Sequence, residues 1–350
     1  MQAIHGGDIY RNRVKLDFSV NVNPLGIPEV VEAALYEAVE KCDRYPDMTA
    51  EGLKKAVSSM LNVSKEYLLF GNGASELFMA IVHGIKPKKT VIPVPSFYGY
   101  EYAAKAADGE VIRYETTEEN GFLLGEDFFS VLTEDVELLF LANPNNPTGK
   151  LMSREYLERL LKHCRKMGIL VVLDECFIEF CDSRAEEELS MLLQTEQFKN
   201  LMIVRAFTKI FAIPGVRSGY LVCSDNALRE KIKRQLPEWN ISCFAQAAGC
   251  ACASQKAFIK KTADFIKKER AFLEEGLKQA GMKVFPGEAD FILLYSKEPL
   301  YEQLLSRGIL IRDCENFRGL SKGFYRIAVK NRKENEILLK AMGEINGENR

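Results

Sequence analysis

Residues 169 to 175 read ILVVLDE. Five apolar residues run without interruption and then meet two carboxylates, Asp174 and Glu175. A short run of this kind, polar only at its end, is expected to be a strand buried on both faces. An acid in that place must be solvated, paired or bonded to a ligand. Comparable runs lie to either side: VELLFLA (136–142) before it and LMIVRAF (201–207) after it, with TVIPV (90–94) and YLLF (67–70) further back. Between them stand helical patterns such as GASELFMAIVHGI and SREYLERLLKHCRKM. Apolar strands alternating with helices predict a mainly parallel sheet covered on both faces, an α/β layer over roughly residues 45–240.

The rest of the chain has a different texture. A long charged helix, AFIKKTADFIKKERAFLEEGLKQAG, follows ASQK (253–256). After it come short strands at FILLY (291–295), ILIR (309–312) and FYRIAV (324–329), with helices at about 298–306 and 331–345. That pattern predicts a smaller α+β domain over 241–350. The first 27 residues read as loop, and IPEVVEAALYEAVEKC reads as an amphipathic helix. Residues 1–44 are assigned to an arm and helix that join the small domain, and 45–240 to the large domain.

Composition bounds the function. The 350 residues are 47% hydrophobic and 27% charged, with a formal net charge of −2. No strong field draws such a chain to nucleic acid or to a membrane. No apolar run approaches the roughly 20 residues of a membrane span, and MQAIHGGDIYRNRVKLDF has no apolar leader segment. Nine cysteines, an odd number without C-x-x-C spacing, fit reduced thiols in the cytoplasm. With three histidines, none beside a cysteine pair of ligand spacing, a metal site is not expected.

In open α/β sheets ligands sit beyond the carboxyl ends of the strands. After 67–70 comes GNGASE (71–76), where glycines open a helix and expose backbone N–H groups to an anion, or simply make a tight turn. Glu76 stands where a dinucleotide fingerprint needs its third glycine, and no Gly-Lys-Ser/Thr loop is present. After 136–142 comes NPNNPTG (143–149), whose prolines exclude helix and strand and whose polar side chains offer hydrogen bonds. After 169–173 come Asp174 and Glu175. After 201–207 comes Lys209, among small or apolar neighbours, with Arg217 eight positions on. Four strand ends thus offer an anion cradle, a polar Asn loop, a carboxylate and a lysine. Together they describe a pocket for a cofactor with a phosphate, a cationic ring nitrogen and an aldehyde.

NNPTG, LDE and TK followed by arginine at +8 resemble the motifs of fold-type I, aspartate-aminotransferase-like enzymes dependent on pyridoxal 5′-phosphate, from about residue 5 to 345. The resemblance implies a large domain with a seven-stranded, mainly parallel sheet. It implies that Lys209 joins the cofactor's aldehyde and that Asp174 pairs with the pyridinium nitrogen. Asn146 would bond the ring hydroxyl, with Phe177 beside it, and Phe97 would stack on the ring. Thr208, Arg217 and the backbone at Ala74 and Ser75 would hold the phosphate. Tyr45, in RYPD, would reach the phosphate of a neighbouring subunit, which implies a homodimer.

Within that superfamily the chain is most similar to histidinol-phosphate aminotransferases and to L-threonine O-3-phosphate decarboxylases of cobamide synthesis. HGGDIY, LDFSVNVNPLG (16–26) and ILIRDCENFRGL (309–320) resemble the decarboxylases. That likeness implies a phosphorylated amino-acid substrate, with Arg326 taking its carboxylate and Arg312, His5 and Asn23 lying near its phosphate. Many aminotransferases carry tyrosine where this chain has Phe97 and Phe177, and LPEWNIS (236–242) departs from the decarboxylases' order. Decarboxylation leads, and transamination stays open. A non-catalytic sensor would bring a helix-turn-helix segment, which is not seen before residue 16. A nicotinamide dehydrogenase would bring the third glycine.

Overall fold

The computed structural model describes residues 5–182 and 190–348. Residues 1–4, which begin the stretch read as lacking a leader and open the predicted N-terminal arm, lie outside the described residues, as do the last two of the predicted small domain. Thirteen strands are present among the described residues: β1 (Leu16–Asp17), β2 (Leu68–Gly71), β3 (Lys89–Val94), β4 (Glu110–Glu115), β5 (Leu138–Ala142), β6 (Leu170–Asp174), β7 (Leu201–Ala206), β8 (Gly219–Val222), β9 (Lys283–Phe285), β10 (Phe291–Tyr295), β11 (Ile309–Leu310), β12 (Arg312–Asp313) and β13 (Phe324–Ala328).

Seven of them form one sheet in the order β2-β8-β7-β6-β5-β3-β4. Every neighbouring pair is parallel except the two made by β8, which runs against both β2 and β7. The fold is therefore the mixed, mainly parallel α/β sheet that the apolar runs predict. Strand β8 separates β2 from β7.

Local chemistry marks the element ends. Ser153 caps the helix Arg154–Met167 by accepting from the Tyr156 N–H at 3.2 Å, and Gly168 ends it at φ 79°. Asp225 caps Asn226–Lys233 through the Leu228 N–H at 2.7 Å. Strands β5 and β7 are buried at every position, so their side chains pack against helices on both faces. On one face Tyr100 stacks on Phe140, ring centroids 5.2 Å apart, and Phe78 meets both edge-on.

A second, antiparallel sheet has the order β12-β13-β10-β9. The helices Lys256–Gln279 and Arg332–Glu348 pack together beside it. The stretch ILIR, expected as one strand, is split: β11 pairs with β1 of the arm, and β12 turns to pair with β13. The arm thereby joins the C-terminal part of the chain.

Inside the seven-stranded layer lies a buried ion pair. Arg205 on β7 donates from Nε and Nη2 to Glu175 Oε2 at 3.0 and 2.9 Å, with side chains 2% and 0% exposed. Glu175 also accepts from Ser190 Oγ at 3.0 Å and from the Met191 N–H at 2.9 Å. Breaking such a pair from one side leaves the buried guanidinium to the longer contact of its Nη1 with Glu179 Oε1, 3.8 Å away. Glu175→Ala is expected to destabilise the protein by about 3–5 kcal/mol, read as the shift of the urea unfolding midpoint. A change under about 1 kcal/mol, the size of an exposed pair, would show that Glu179 alone compensates Arg205.

Candidate functional site

The carboxyl ends of β5, β6 and β7 open into one cavity of about 930 Å³. The arm at Ser19–Asn21 and the strands β12 and β13 close it from the opposite side.

One end of the cavity is built for an anion. The helix Ala74–Ile85 begins there, so the N–H groups of Ala74 and Ser75 are among its unpaired first four. Arg217 and Thr208 face the same end. Gly73, at the helix N-cap, has φ 80°, and a Cβ on it would run into the Arg217 guanidinium. Only glycine accommodates both demands. Arg217 itself holds a left-handed backbone at φ 58° while Nη1 donates to the Pro214 carbonyl at 3.2 Å. Glu76, which argued against a dinucleotide, is turned away: it accepts from the Asn72 N–H at 2.7 Å and from Asn240 Nδ2 at 2.8 Å.

The middle of the cavity holds Asp174, Asn146, Lys209, Phe97 and Phe177. Asp174 accepts from the Tyr100 hydroxyl at 2.6 Å and from the Cys176 N–H at 2.9 Å, which orients the carboxyl. Burial pushes its pKa up, while those two donors and Lys209 pull it back down. In NPNNPTG the asparagines divide their work. Asn143 accepts from the Met152 N–H and Asn145 donates to Pro95 and Thr148, so both serve the loop. Asn146 faces the cavity and accepts from Arg326 Nη1 at 2.5 Å, leaving its amide NH₂ to donate elsewhere. Phe97 is held edge-on against Tyr100 at 5.6 Å, and Phe177 against Phe291 at 5.2 Å. The Lys209 ammonium is disfavoured by burial first, and Asp290 opposes that shift.

At the far end Arg312 and Arg326 stand opposite one another in the β12–β13 register, and both line the cavity. Arg312 donates to the Asp313 carbonyl at 2.6 Å and to Asn316 Oδ1 at 2.7 Å. Arg326 also donates to the Ser19 carbonyl at 2.9 Å, its Nε is buried without a partner, and burial pulls its pKa down to about 10. His5 lies beside Phe97 and Tyr98. Burial, then the positive charge of Arg312 and Arg326, lowers its pKa.

Two expected residues fall elsewhere. Asn23 is a correction: its Nδ2 donates to the Ile210 carbonyl at 2.7 Å and to Thr262 Oγ1 at 2.8 Å, and its Oδ1 accepts from the Leu25 N–H. Its side-chain polar atoms are thus spent on the segment of Lys209, on the helix Lys256–Gln279 and on the arm's own turn, and Asn21 lines the cavity instead. Tyr45 is 78% exposed, its ring 4.8 Å from that of Trp239, and it does not line the cavity of its own chain. Sequence reasoning also passed over Tyr100 and Asp290. Tyr100 lies in a helical pattern with no local signal that separates it from core, and Asp290 lies just before the apolar run FILLY.

The donor set fits pyridoxal 5′-phosphate. The glycine-opened helix with Arg217 suits a phosphate, and Asp174, buried at a strand end with one lobe held by Tyr100, suits a cationic ring nitrogen. Phe97 and Phe177 suit an aromatic ring.

Comparison with known proteins agrees with this geometry. A family model, aminotransferase class I and II, matches residues 13–342. The chain is 34% identical over 355 residues to the threonine-phosphate decarboxylase of Salmonella typhimurium, covering 98% of this chain and 96% of the relative. The crystal structure of the histidinol-phosphate aminotransferase from Clostridium acetobutylicum superposes with a TM-score of 0.89 at 34% identity, covering 95% of this chain and 99% of that one. The structure of L-threonine-O-3-phosphate decarboxylase from Porphyromonas gingivalis superposes with a TM-score of 0.83 at 26% identity, covering 94% and 98%.

Gly73→Ala tests the anion end without touching a donor. The new methyl displaces the Arg217 guanidinium, so the apoprotein is expected to bind the cofactor roughly tenfold to a hundredfold more weakly, the range of one lost charge-assisted hydrogen bond. Fluorescence titration of the apoprotein measures it. Unchanged affinity would remove Arg217 from the cradle.

Proposed function

The chain belongs to the class I and II aminotransferase family, and we propose that within it the protein decarboxylates O-phospho-L-threonine, or a close phosphoamino acid, to (R)-1-amino-2-propanol phosphate for cobamide synthesis. Its cofactor is pyridoxal 5′-phosphate.

The observation that carries this reading is the pair Arg312 and Arg326. Two buried guanidinium groups face one cavity from adjacent strands, with His5 also on that wall. A substrate with two anionic groups suits them, because a buried arginine fork binds carboxylate or phosphate strongly. O-phospho-L-threonine carries both a carboxylate and a phosphate. We assign the carboxylate to Arg326, which is anchored by Asn146 and the Ser19 carbonyl. The phosphate goes to Arg312 and His5.

When bound, the cofactor supplies an electron sink for the bonds of the substrate Cα. Lys209 would be the amine that holds its aldehyde and a base near the substrate Cα. Asp174, oriented by Tyr100, would pair with its ring nitrogen. Asn146 would donate to its ring hydroxyl, and Phe97 and Phe177 would pack on its ring. Ala74, Ser75, Thr208 and Arg217 would hold its phosphate. Tyr45 completes that cradle in a second copy of the chain, so the active form is a homodimer. No helix among the described residues is long and apolar enough to cross a membrane, and nine cysteines, an odd number without C-x-x-C spacing, suit the cytoplasm.

A second reading, transamination of histidinol phosphate or a similar amine, is favoured by the likeness to the Clostridium acetobutylicum aminotransferase. Incubation with O-phospho-L-threonine separates the two. Release of CO₂ at the same rate with and without 2-oxoglutarate is expected. Consumption of substrate only with the oxo acid, and without CO₂, would establish the second reading in its place.

The phosphate assignment has its own check. With three histidines in the chain, the His5 ring protons can be followed by NMR. In the free protein His5 is expected to titrate below the ordinary histidine value, and O-phospho-L-threonine should move its midpoint up, since an added anion favours imidazolium. A midpoint that stays put would move the phosphate away from His5.

A further inference from the structure

We propose that Gly287 is a positioning residue for Asn146, holding that asparagine against Arg326 through a backbone seam with Gly149. Its consequence for the cofactor rests on the reading that Asn146 donates to the ring hydroxyl; the seam itself does not.

Gly287 is buried in the connection between β9 and β10. A Cβ on it would lie 2.9 Å from Gly149 Cα, 3.0 Å from the Thr148 carbonyl oxygen and 3.1 Å from the Gly149 carbonyl carbon. From the other side, a Cβ on Gly149 would lie 3.1 Å from Gly287 Cα. Two backbones distant in sequence thus meet where neither leaves room for a side chain. The Glu288 N–H donates to the Gly149 carbonyl at 2.8 Å and closes the seam.

Neither side of the seam yields by itself. In the Asn loop, the Gly149 N–H donates to the Asn145 carbonyl at 2.7 Å and the Asn145 N–H to the Lys150 carbonyl at 2.9 Å. Asn145 Nδ2 adds bonds to Thr148 Oγ1 at 2.9 Å and to the Pro95 carbonyl at 3.0 Å. Pro144 and Pro147 fix two φ angles of the same loop. Residues 145–150 therefore form a closed unit, and a push on Gly149 moves Asn146 with it. On the facing side, buried Arg270 of the helix Lys256–Gln279 donates to the Glu288 and Ala289 carbonyls at 2.6 and 3.1 Å and to Glu288 Oε2 at 2.7 Å. The Val329 N–H holds the Asp290 carbonyl at 2.7 Å.

Arg326 belongs to the same sheet as this connection, opposite Leu293 in the β10–β13 register. The sheet thus grips the Asn loop twice: through the Glu288 N–H on its backbone, and through Arg326 Nη1 on Asn146 Oδ1 at 2.5 Å. The first contact sets the spacing that the second needs. A methyl at position 287 must open the seam from 2.9 Å to at least 3.4 Å, the start of ordinary contact, and a branched side chain must open it further. Groups of a site keep productive geometry only within about 0.5 Å. Asn146 then loses its brace, and its amide loses its aim.

The test is a pair of double-mutant cycles on the full chain. In the apoprotein, Asn146→Ala removes the acceptor of Arg326 and should lower the urea unfolding midpoint. In a Gly287→Val background, where that bond is already lost, the same change should lower the midpoint by less than about half as much. Additive shifts, expected of a glycine that serves only its own turn, would overturn the proposal. The second cycle reads cofactor affinity by fluorescence titration of the apoprotein with pyridoxal 5′-phosphate. Asn146→Ala and Gly287→Val should each weaken binding about tenfold, the size of one hydrogen bond. Together they should be no more than about twofold worse than either alone, and losses that multiply would equally overturn the proposal. Unchanged affinity in Asn146→Ala, beside coupled midpoints, would remove Asn146 from the ring hydroxyl and uphold the seam. If Gly287→Val does not fold, Gly287→Ala carries both cycles with one methyl.

Discussion

Arg205 and Glu175 bind one another where water does not reach, and the site takes its dimensions from that bond. Glu175 is the first residue beyond β6, next to Asp174; Arg205 lies on β7, four residues before Lys209. Successive residues of an extended chain point to opposite sides. Asp174 therefore faces the cavity while Glu175 faces the guanidinium behind it. The pair sews β6 to β7 at the point where each strand releases its functional residue. Asp174 is thereby fixed on β6, and Lys209 stands on the short helix Phe207–Ile210 that follows β7 directly.

What the sequence disclosed follows the same logic. Strands β5, β6 and β7 were legible because burial on both faces makes them apolar throughout, and their polar successors stood out against that background. Strand β4, EVIRYE, sits at the sheet edge with three exposed residues, so its pattern carries charge and resembles loop. Strand β8 has four residues and opens on a glycine inside the stretch that also holds Lys209 and Arg217. The site was legible where a residue type was out of place. Asp174 and Lys209 are polar in apolar surroundings, whereas Tyr100 is apolar by pattern and polar only through the hydroxyl it offers to Asp174. Asn21 and Asn23 share one motif, and their opposite fates depend on Ile210 and Thr262, which are distant in sequence. Gly287 needs the third dimension altogether, since its meaning lies in the approach of Gly149, which is distant in sequence.

Charge in the cavity is arranged as a surplus awaiting ligands. Arg217, Arg312 and Arg326 face it, and Arg326 keeps a buried, unpartnered Nε. Of the acids on its wall, Glu101 is already spent: Arg113, with help from Lys105, holds its pKa down to about 2. Arg312 and Arg326 are buried, and buried cations without anions are unfavourable. That unfavourable term is relieved when phosphate and carboxylate arrive, so part of the binding energy is prepared during folding. The buried Arg205–Glu175 pair stabilises the scaffold against this local cost.

The same arrangement explains why reaction type is harder to read than cofactor. Lysine, aspartate, asparagine and the phosphate cradle are needed whichever bond at Cα breaks. The difference lies in how a substrate is turned, which the proposed reading assigns to the two arginines on adjacent strands. Arg326 is braced by Asn146, which itself faces the cofactor region, so the carboxylate clamp and the cofactor contacts share one asparagine. A substrate whose phosphate engages Arg312 thus has its carboxylate placed relative to the same loop that orients the ring. On the proposed reading, reaction choice depends on how two guanidinium groups on adjacent strands hold the substrate, and not on the type of any catalytic residue.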